Sequence, residues 1–268
     1  MRELRRRGHH AAGLGRQELD ITRADLIEQA VRLHHPDWLI NAAAYNQVDV
    51  AEKEPLTALQ ANGLAVRHMA VACRDSGATL LHFSTDHVFD GRKSTPYTED
   101  DLPSPVSAYG VSKLAGELYT RAYLDKHYIV RTAGVFGPAG RGTNRGNFVE
   151  LMLRKAAEGQ AIRVVEDFYA SPTYAPALAS RSIDLLERAV YGTYHIGGGC
   201  EVSWYQYALM IFDEAGLRAE VVPTNERDYR TLARRPKYSV LSNQRIESLG
   251  LLPMPSLEQA IRDYLTKR

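Results

Sequence analysis

Two stretches decide the fold expected of this chain: TLLHFSTD at residues 79–86 and YGVSKLAGE at residues 109–117. The first is an apolar run that ends in hydroxyl and carboxylate side chains, which indicates a buried strand with polar groups at its carboxyl end. The second opens a helix on which Tyr109 and Lys113, four residues apart, share one face. A lysine cation beside a tyrosine favours the phenolate and lowers the phenol pKa, so this pair can give a proton to a carbonyl oxygen.

Short apolar runs alternate with longer helical stretches on both sides of this pair, and Ala11–Leu14 is expected to be a weak strand. Such alternation is typical of the α/β class, here a Rossmann-like, doubly wound parallel sheet. The last third departs from the alternation and predicts a smaller C-terminal substrate-binding lobe. We assign residues 1–147 and 171–200 to the NAD(P)-binding domain, and residues 148–170 and 201–268 to the lobe.

Composition excludes several classes of protein. The 268 residues carry a formal charge of +1, which makes nucleic acid an unexpected partner. Cys73 and Cys200 are the only cysteines, too few for a disulfide framework, so a cytoplasmic protein is expected. No apolar run approaches the roughly 20 residues of a membrane helix. The histidine pairs lack the carboxylate or cysteine neighbours of a metal site, so none is expected.

The amino-terminal sequence departs from a dinucleotide-binding fold. Such a fold opens with a strand that runs into G-x-G-x-x-G, and this chain contains no such motif. Residues 1–10 indicate instead the last turns of a helix that stops at Gly8. The expectation is therefore that roughly twenty residues, with the first strand and the phosphate loop, are missing from the start. Cofactor affinity would then be weakened.

Several motifs taken together resemble the extended short-chain dehydrogenase/reductases, and among these the dTDP-4-dehydrorhamnose reductase family. The resemblance covers nearly the whole chain. The segments that carry it are Asn41–Tyr45, Ser84–Phe89, Tyr109–Glu117, Val130–Thr132 and Ser171–Thr173.

The resemblance implies a role for each matching residue. Tyr109 is the catalytic tyrosine, Lys113 binds the nicotinamide ribose, and Thr85 and Asp86 hold the keto group and a neighbouring hydroxyl of the sugar. Further substrate-binding residues are Asn147 and Arg235. Further cofactor-binding residues are Asp20, Ile21, Ala43, Ala44 and Tyr45.

Cofactor choice depends on the end of the second strand, where a carboxylate usually selects NAD. This chain has Arg16 there, and a guanidinium can pair with a 2'-phosphate. NADPH is therefore the expected cofactor, and NADH stays open because Arg16 is equally well interpreted as a solvated loop residue.

The implied activity is the NADPH-dependent reduction of the 4-keto group of a nucleotide-sugar, with dTDP-4-dehydro-L-rhamnose the leading substrate. Two departures leave the sugar open. Where the family often carries a tryptophan after Arg-Thr-Ser, this chain reads Ala133-Gly134, and His87 replaces a common phenol. The alternative is a non-catalytic, NADP-binding regulatory subunit similar to the beta subunit of methionine adenosyltransferase. A homodimer is compatible with both.

Overall fold

The computed structural model describes residues 1–140, 146–188 and 190–267. The helices are α1 (Arg2–Arg6), α2 (Ala24–His34), α3 (Val48–Ala51), α4 (Pro55–Leu59), α5 (Ala65–Ser76), α6 (Ala108–Tyr123), α7 (Phe148–Ala157), α8 (Ala175–Arg188), α9 (Trp204–Glu214), α10 (Gln244–Glu247) and α11 (Leu257–Thr266). The strands are β1 (Trp38–Asn41), β2 (Thr79–Thr85), β3 (His127–Thr132), β4 (Ile162–Val165), β5 (Tyr169–Ala170), β6 (Gly192–His195), β7 (Val202–Ser203) and β8 (Val221–Thr224). A π-helical turn, Gln60–Leu64, joins α4 to α5.

The main sheet has four parallel strands in the order β1-β2-β3-β6. Helices α2 and α5 pack on one face through Ile27 and Met69, and α8 packs on the other through Leu185. The register aligns Thr85 at the end of β2 with Thr132 at the end of β3. A parallel sheet covered on both faces confirms the predicted α/β class, and its carboxyl edge is where such sheets bind ligands.

The remaining elements form a second, smaller core. Strand β4 pairs in parallel with β8, and β5 pairs antiparallel with β7. Helices α7, α9 and α11 bury Val149, Tyr207, Ile261 and Tyr264 together with Phe136, which follows β3. Phe136, which follows β3, pairs with Tyr174, which precedes α8, and both side chains lie in this second core. The second core therefore lies beside the carboxyl edge of the main sheet.

The amino-terminal segment agrees with one prediction and contradicts another. Helix α1 occupies residues 2–6, and Gly8 follows with a φ of +85°, which confirms the predicted helical turns that stop at Gly8. Arg7 anchors it to α8 through Asp184 and Glu187. The strand predicted at Ala11–Leu14 is wrong, because that segment pairs with no strand in the described part of the chain. No described helix combines the length and the apolar character needed to cross a membrane.

Candidate active site

The polar residues predicted from the sequence meet where β2 ends and α6 begins. Thr85 ends β2, and Asp86 opens a short 3-10 turn. Helix α6 is capped by Ser107, whose hydroxyl accepts a hydrogen bond from the Gly110 amide at 3.2 Å. The cap fixes the first turn of α6, so that Tyr109 lies over the carboxyl end of β2.

Two glycines of the YGVSKLAGE stretch allow α6 to lie this close. A Cβ at Gly110 would come within 2.3 Å of the His87 carbonyl oxygen, and a Cβ at Gly116 within 2.3 Å of the Asn62 carbonyl oxygen. A side chain at Gly110 would force α6 away from the turn after β2, and one at Gly116 would force it away from the π-helical turn. Gly110 therefore sets how closely Tyr109 approaches the end of β2, and Gly116 sets how closely α6 packs on the π-helical turn.

Tyr109 is a buried phenol whose hydroxyl contacts Asn46 Oδ1 at 3.5 Å. The His87 ring stands edge-on to its ring, with 5.5 Å between centroids. Burial raises the pKa of Tyr109 well above its usual value; the Thr85 hydroxyl works in the opposite direction, and the Asp86 carboxylate adds to the increase. The predicted lowering of this pKa by Lys113 is therefore wrong, and Tyr109 stays protonated at neutral pH.

Lys113 is also buried, and its Nζ donates to the Phe83 carbonyl oxygen at 2.6 Å. Burial lowers the pKa of this ammonium to about 8, while the carboxylate of Glu117 opposes that change. An ammonium has more than one donor hydrogen, so the bond to Phe83 leaves Lys113 able to bind a hydroxyl. It is a cation only below that pKa.

Thr85 and Asp86 lie at the carboxyl end of β2, in contact with each other. The Thr85 hydroxyl donates to Asp86 Oδ1 at 3.0 Å and accepts from the His87 amide at 3.2 Å. Both side chains are buried among protein atoms. Burial lowers the pKa of the His87 imidazole; the Asp86 carboxylate raises it and the Arg235 cation lowers it further. The net effect is a lowered pKa, so this ring is neutral. The structure thus gathers Tyr109, Lys113, Thr85 and Asp86 as the sequence predicts.

A residue that the sequence analysis missed holds the turn after β1. The Tyr45 amide donates to Asn62 Oδ1 at 2.8 Å, and Asn62 Nδ2 donates to the Tyr45 carbonyl oxygen at 3.0 Å. The same Nδ2 donates to the Ser112 hydroxyl at 3.0 Å. Asn62 therefore ties the small-residue turn at Ala43 and Ala44 to α6. Its signal in the sequence is a polar residue followed by glycine inside an otherwise regular helix.

A buried ion pair supports the same end of the sheet. Glu117 receives hydrogen bonds from Arg131 Nε at 2.9 Å and Nη2 at 2.8 Å, and from the Ser84 hydroxyl at 2.6 Å. Burial lowers the pKa of neighbouring His195 to about 3, so this histidine adds no charge. The pair locks α6 against β2 and β3.

The other residues predicted to bind ligands lie in different environments. Arg235 pairs with Asp49 at 2.6 Å, and this hydrogen bond lowers the pKa of Asp49 against the opposite effect of burial. Asn147 caps α7 by accepting from the Glu150 amide, and its Nδ2 donates to the Tyr264 hydroxyl. Both ends of the Asn147 amide are thus engaged within the protein.

The residues predicted to hold the adenosine end lie near the start of α2. Arg16 is exposed in a turn, and Asp20 accepts hydrogen bonds from the amide and hydroxyl of Thr22. Ile21 packs against the core under α2. This segment is therefore an ordered surface turn, and Arg16 is free to reach solvent.

Comparisons with known proteins decide the family. The profile of the RmlD substrate binding domain matches residues 1–268. The chain belongs to this family. A dTDP-4-dehydrorhamnose reductase of Streptomyces griseus is 39% identical over 267 residues, covering 97% of this chain and 86% of that protein. The spore coat polysaccharide biosynthesis protein SpsK of Bacillus subtilis is 36% identical over 267 residues, covering 100% and 92%.

A solved structure extends the family match to three dimensions. The dTDP-4-dehydrorhamnose reductase of Bacillus anthracis, crystallised in complex with NADP, superposes with a TM-score of 0.93 at 35% identity. The match covers 98% of this chain and 92% of that one. The resemblance stated from the motifs is thereby confirmed.

The RmlD-family site fits one half of a nicotinamide dinucleotide. Buried Lys113 has further donor hydrogens for ribose hydroxyls. The side chains of Ala43 and Ala44 are small enough for the backbone of this turn to lie against a ring of the cofactor. The printed sequence carries no G-x-G-x-x-G, so no residues are assigned to the diphosphate. Within the described residues, no group of three or more His, Cys, Asp or Glu side chains is arranged to hold a metal ion.

Proposed function

We propose that this chain reduces the 4-keto group of dTDP-4-dehydro-L-rhamnose with NADPH, giving dTDP-L-rhamnose. The observation that carries the proposal is the meeting of Tyr109, Lys113 and Thr85 at the carboxyl edge of the sheet, in a chain of the RmlD family. The relatives named as dTDP-4-dehydrorhamnose reductases support the substrate. The Bacillus anthracis structure, which is in complex with NADP, supports the cofactor.

The chain's own residues supply the proton and the orientation. NADPH, when bound, supplies the hydride that reaches C4 of the sugar. Tyr109, protonated in its buried position, gives its proton to the developing oxyanion at O4. The Thr85 hydroxyl lies beside the Tyr109 hydroxyl and, by turning its one hydrogen away from Asp86, donates to the same oxygen. Lys113, a cation below its pKa of about 8, stabilises the tyrosinate that is left.

Substrate and cofactor are held by two sets of residues. Asp86, Asn147 and Arg235 bind the nucleotide-sugar. Besides Tyr109 and Lys113, the cofactor contacts are Arg16, Asp20, Ile21, Ala43, Ala44 and Tyr45. We divide the chain into a cofactor-binding domain, residues 1–147 and 171–200, and a substrate-binding lobe, residues 148–170 and 201–268; the common core of α7, α9 and α11 supports this division.

Two further parts of the proposal concern the protein's setting. We place the enzyme in the cytoplasm, because two cysteines, one of them fully buried, suit a reducing compartment. We also propose a homodimer as its assembly.

The alternative function, a regulatory NADP-binding subunit, has the same fold but needs no proton donor. The proximity of Tyr109, Lys113 and Thr85 favours catalysis over it.

The direct test is turnover. Purified protein is mixed with NADPH and dTDP-4-dehydro-L-rhamnose, the loss of NADPH absorbance is followed, and the product is identified by mass spectrometry. The proposal expects dTDP-L-rhamnose in amounts equal to the NADPH consumed. Binding of NADPH without any turnover would reject the enzyme and favour the regulatory subunit.

A further inference from the structure

Gly134 lies at the carboxyl edge of the main sheet, two residues after the end of β3. Thr132, the last residue of β3, is aligned with Thr85 of the site. Gly134 has a φ of +50°, and a Cβ there would lie 3.3 Å from Pro172 Cα and 3.6 Å from Trp204 Cη2. The absent side chain therefore leaves the tip of the Trp204 indole next to the backbone at the edge of the site.

The indole of Trp204 is held firmly from behind. Trp204 is the first residue of α9, between the two capping-box residues Ser203 and Gln206, and its amide donates to the Phe168 carbonyl oxygen at 3.1 Å. The Phe148 ring meets it edge-on, with 4.8 Å between centroids. Trp204 is nevertheless only half-buried. A rigid aromatic ring that keeps an exposed part beside a site is suited to binding.

We propose that Trp204 is a specificity-determining residue whose indole forms the apolar wall of the sugar subsite. This inference rests on the proposed function. A 6-deoxyhexose presents a methyl group and C–H bonds on one side of its ring, and these pack on an aromatic surface without leaving a polar group unpaired. A hexose with a C6 hydroxyl would bury that hydroxyl against the indole. The wall thus selects a 6-deoxy sugar.

The chain offers a matched control, because it contains two tryptophans. Trp38 begins β1, is aligned with Thr79, and packs against His9. Thr79 and Thr85 are the two ends of β2, so at the rise of a strand Trp38 lies about 20 Å from the site. Fluorescence of the variant Trp38→Phe then reports Trp204 alone, and fluorescence of Trp204→Phe reports Trp38 alone.

The experiment titrates both variants, saturated with NADP⁺, with dTDP-L-rhamnose and separately with dTDP. The expected result is a saturable change in the emission of Trp38→Phe with dTDP-L-rhamnose, a much smaller change with dTDP, and none in Trp204→Phe. In turnover, Trp204→Ala is expected to raise KM for the sugar nucleotide about tenfold, while Trp38→Phe leaves it unchanged.

Each other outcome overturns the inference in a recognisable way. Equal changes with dTDP and dTDP-L-rhamnose would place the indole against the nucleotide rather than the sugar. An unchanged emission of Trp38→Phe, in a protein that turns over, would remove Trp204 from the site and leave the proposed function standing. Wild-type protein that neither binds dTDP-L-rhamnose nor turns over would reject both proposals together.

Discussion

At the scale of single residues, Tyr109 should behave as an acid that the protein keeps protonated. Its pKa is raised by burial, so the proton is in place when the carbonyl is reduced. Tyr109→Phe removes that proton and is expected to lower kcat by about a hundredfold or more, since general acid catalysis contributes that much. NADPH affinity should hardly change, as measured by calorimetric titration. Tyr119→Phe, on the same helix, is the control. Equal turnover by Tyr109→Phe would remove this residue from the mechanism.

Lys113 should give the activity an alkaline limit. A lysine is a cation below its pKa, and burial lowers this pKa from 10.5 to about 8. As pH rises through about 8, free enzyme loses the charge that stabilises the tyrosinate, so kcat/KM should fall there and not near 10. Lys113→Arg keeps its charge at these pH values. The variant should therefore lose the alkaline limb, whatever its activity. A wild-type profile that stays flat up to about pH 10 would contradict this assignment.

At the scale of elements, the π-helical turn matters through Asn62. Asn62→Ala removes two hydrogen bonds to the Tyr45 backbone and one to Ser112, each worth about 0.5–1.5 kcal/mol. We expect a loss of about 2–4 kcal/mol in the free energy of unfolding by urea, with weaker NADPH binding. Leu56→Ala, at a site 78% exposed in α4, should change stability by less than about 0.5 kcal/mol. Unaltered NADPH affinity in Asn62→Ala would show that the turn does not position the cofactor.

The ion pair between α6 and β3 gives a second test at this scale. Glu117→Gln leaves Arg131 charged and buried without its carboxylate, which is expected to cost about 3–5 kcal/mol of unfolding free energy. Glu28→Gln breaks an exposed pair with Arg32 and should cost less than about 1 kcal/mol. Urea unfolding of both variants measures the difference. Equal midpoints would mean that solvent reaches Glu117.

The sequence predicts these elements unevenly, for physical reasons. Strand β2 and helix α6 follow from local periodicity and from the four-residue spacing of Tyr109 and Lys113. Ala11–Leu14 has a short apolar run, but a strand exists only when it pairs with another, and that is not visible locally. The predicted lowering of the Tyr109 pKa is wrong because burial, which depends on residues distant in sequence, raises this pKa more than the nearby lysine cation lowers it. Asn62 was missed because its role depends on Tyr45 and Ser112.

At the scale of the whole molecule, the loop between β8 and α10 joins the lobe to the sheet. Arg235 donates to both oxygens of Asp49, and the Ala233 amide donates to Asp49 Oδ1 at 3.0 Å. Asp49 lies in α3, just after the turn at Ala43 and Ala44. This contact therefore links the part of the chain proposed to bind the sugar to the part proposed to bind the cofactor.

Breaking this link should affect substrate binding more than stability. The Asp49 and Arg235 side chains are 42% and 30% exposed, so Asp49→Asn is expected to cost less than about 1 kcal/mol of unfolding free energy. It frees the loop that carries Arg235, so KM for the nucleotide-sugar should rise several-fold while kcat changes little. Added salt should raise the wild-type KM toward that of the variant, because a half-exposed pair is screened. The control is Asp167→Asn, which breaks the pair with Lys237 inside the lobe and should leave KM unchanged. If the two variants raise KM equally, the link between lobe and sheet has no part in binding the sugar.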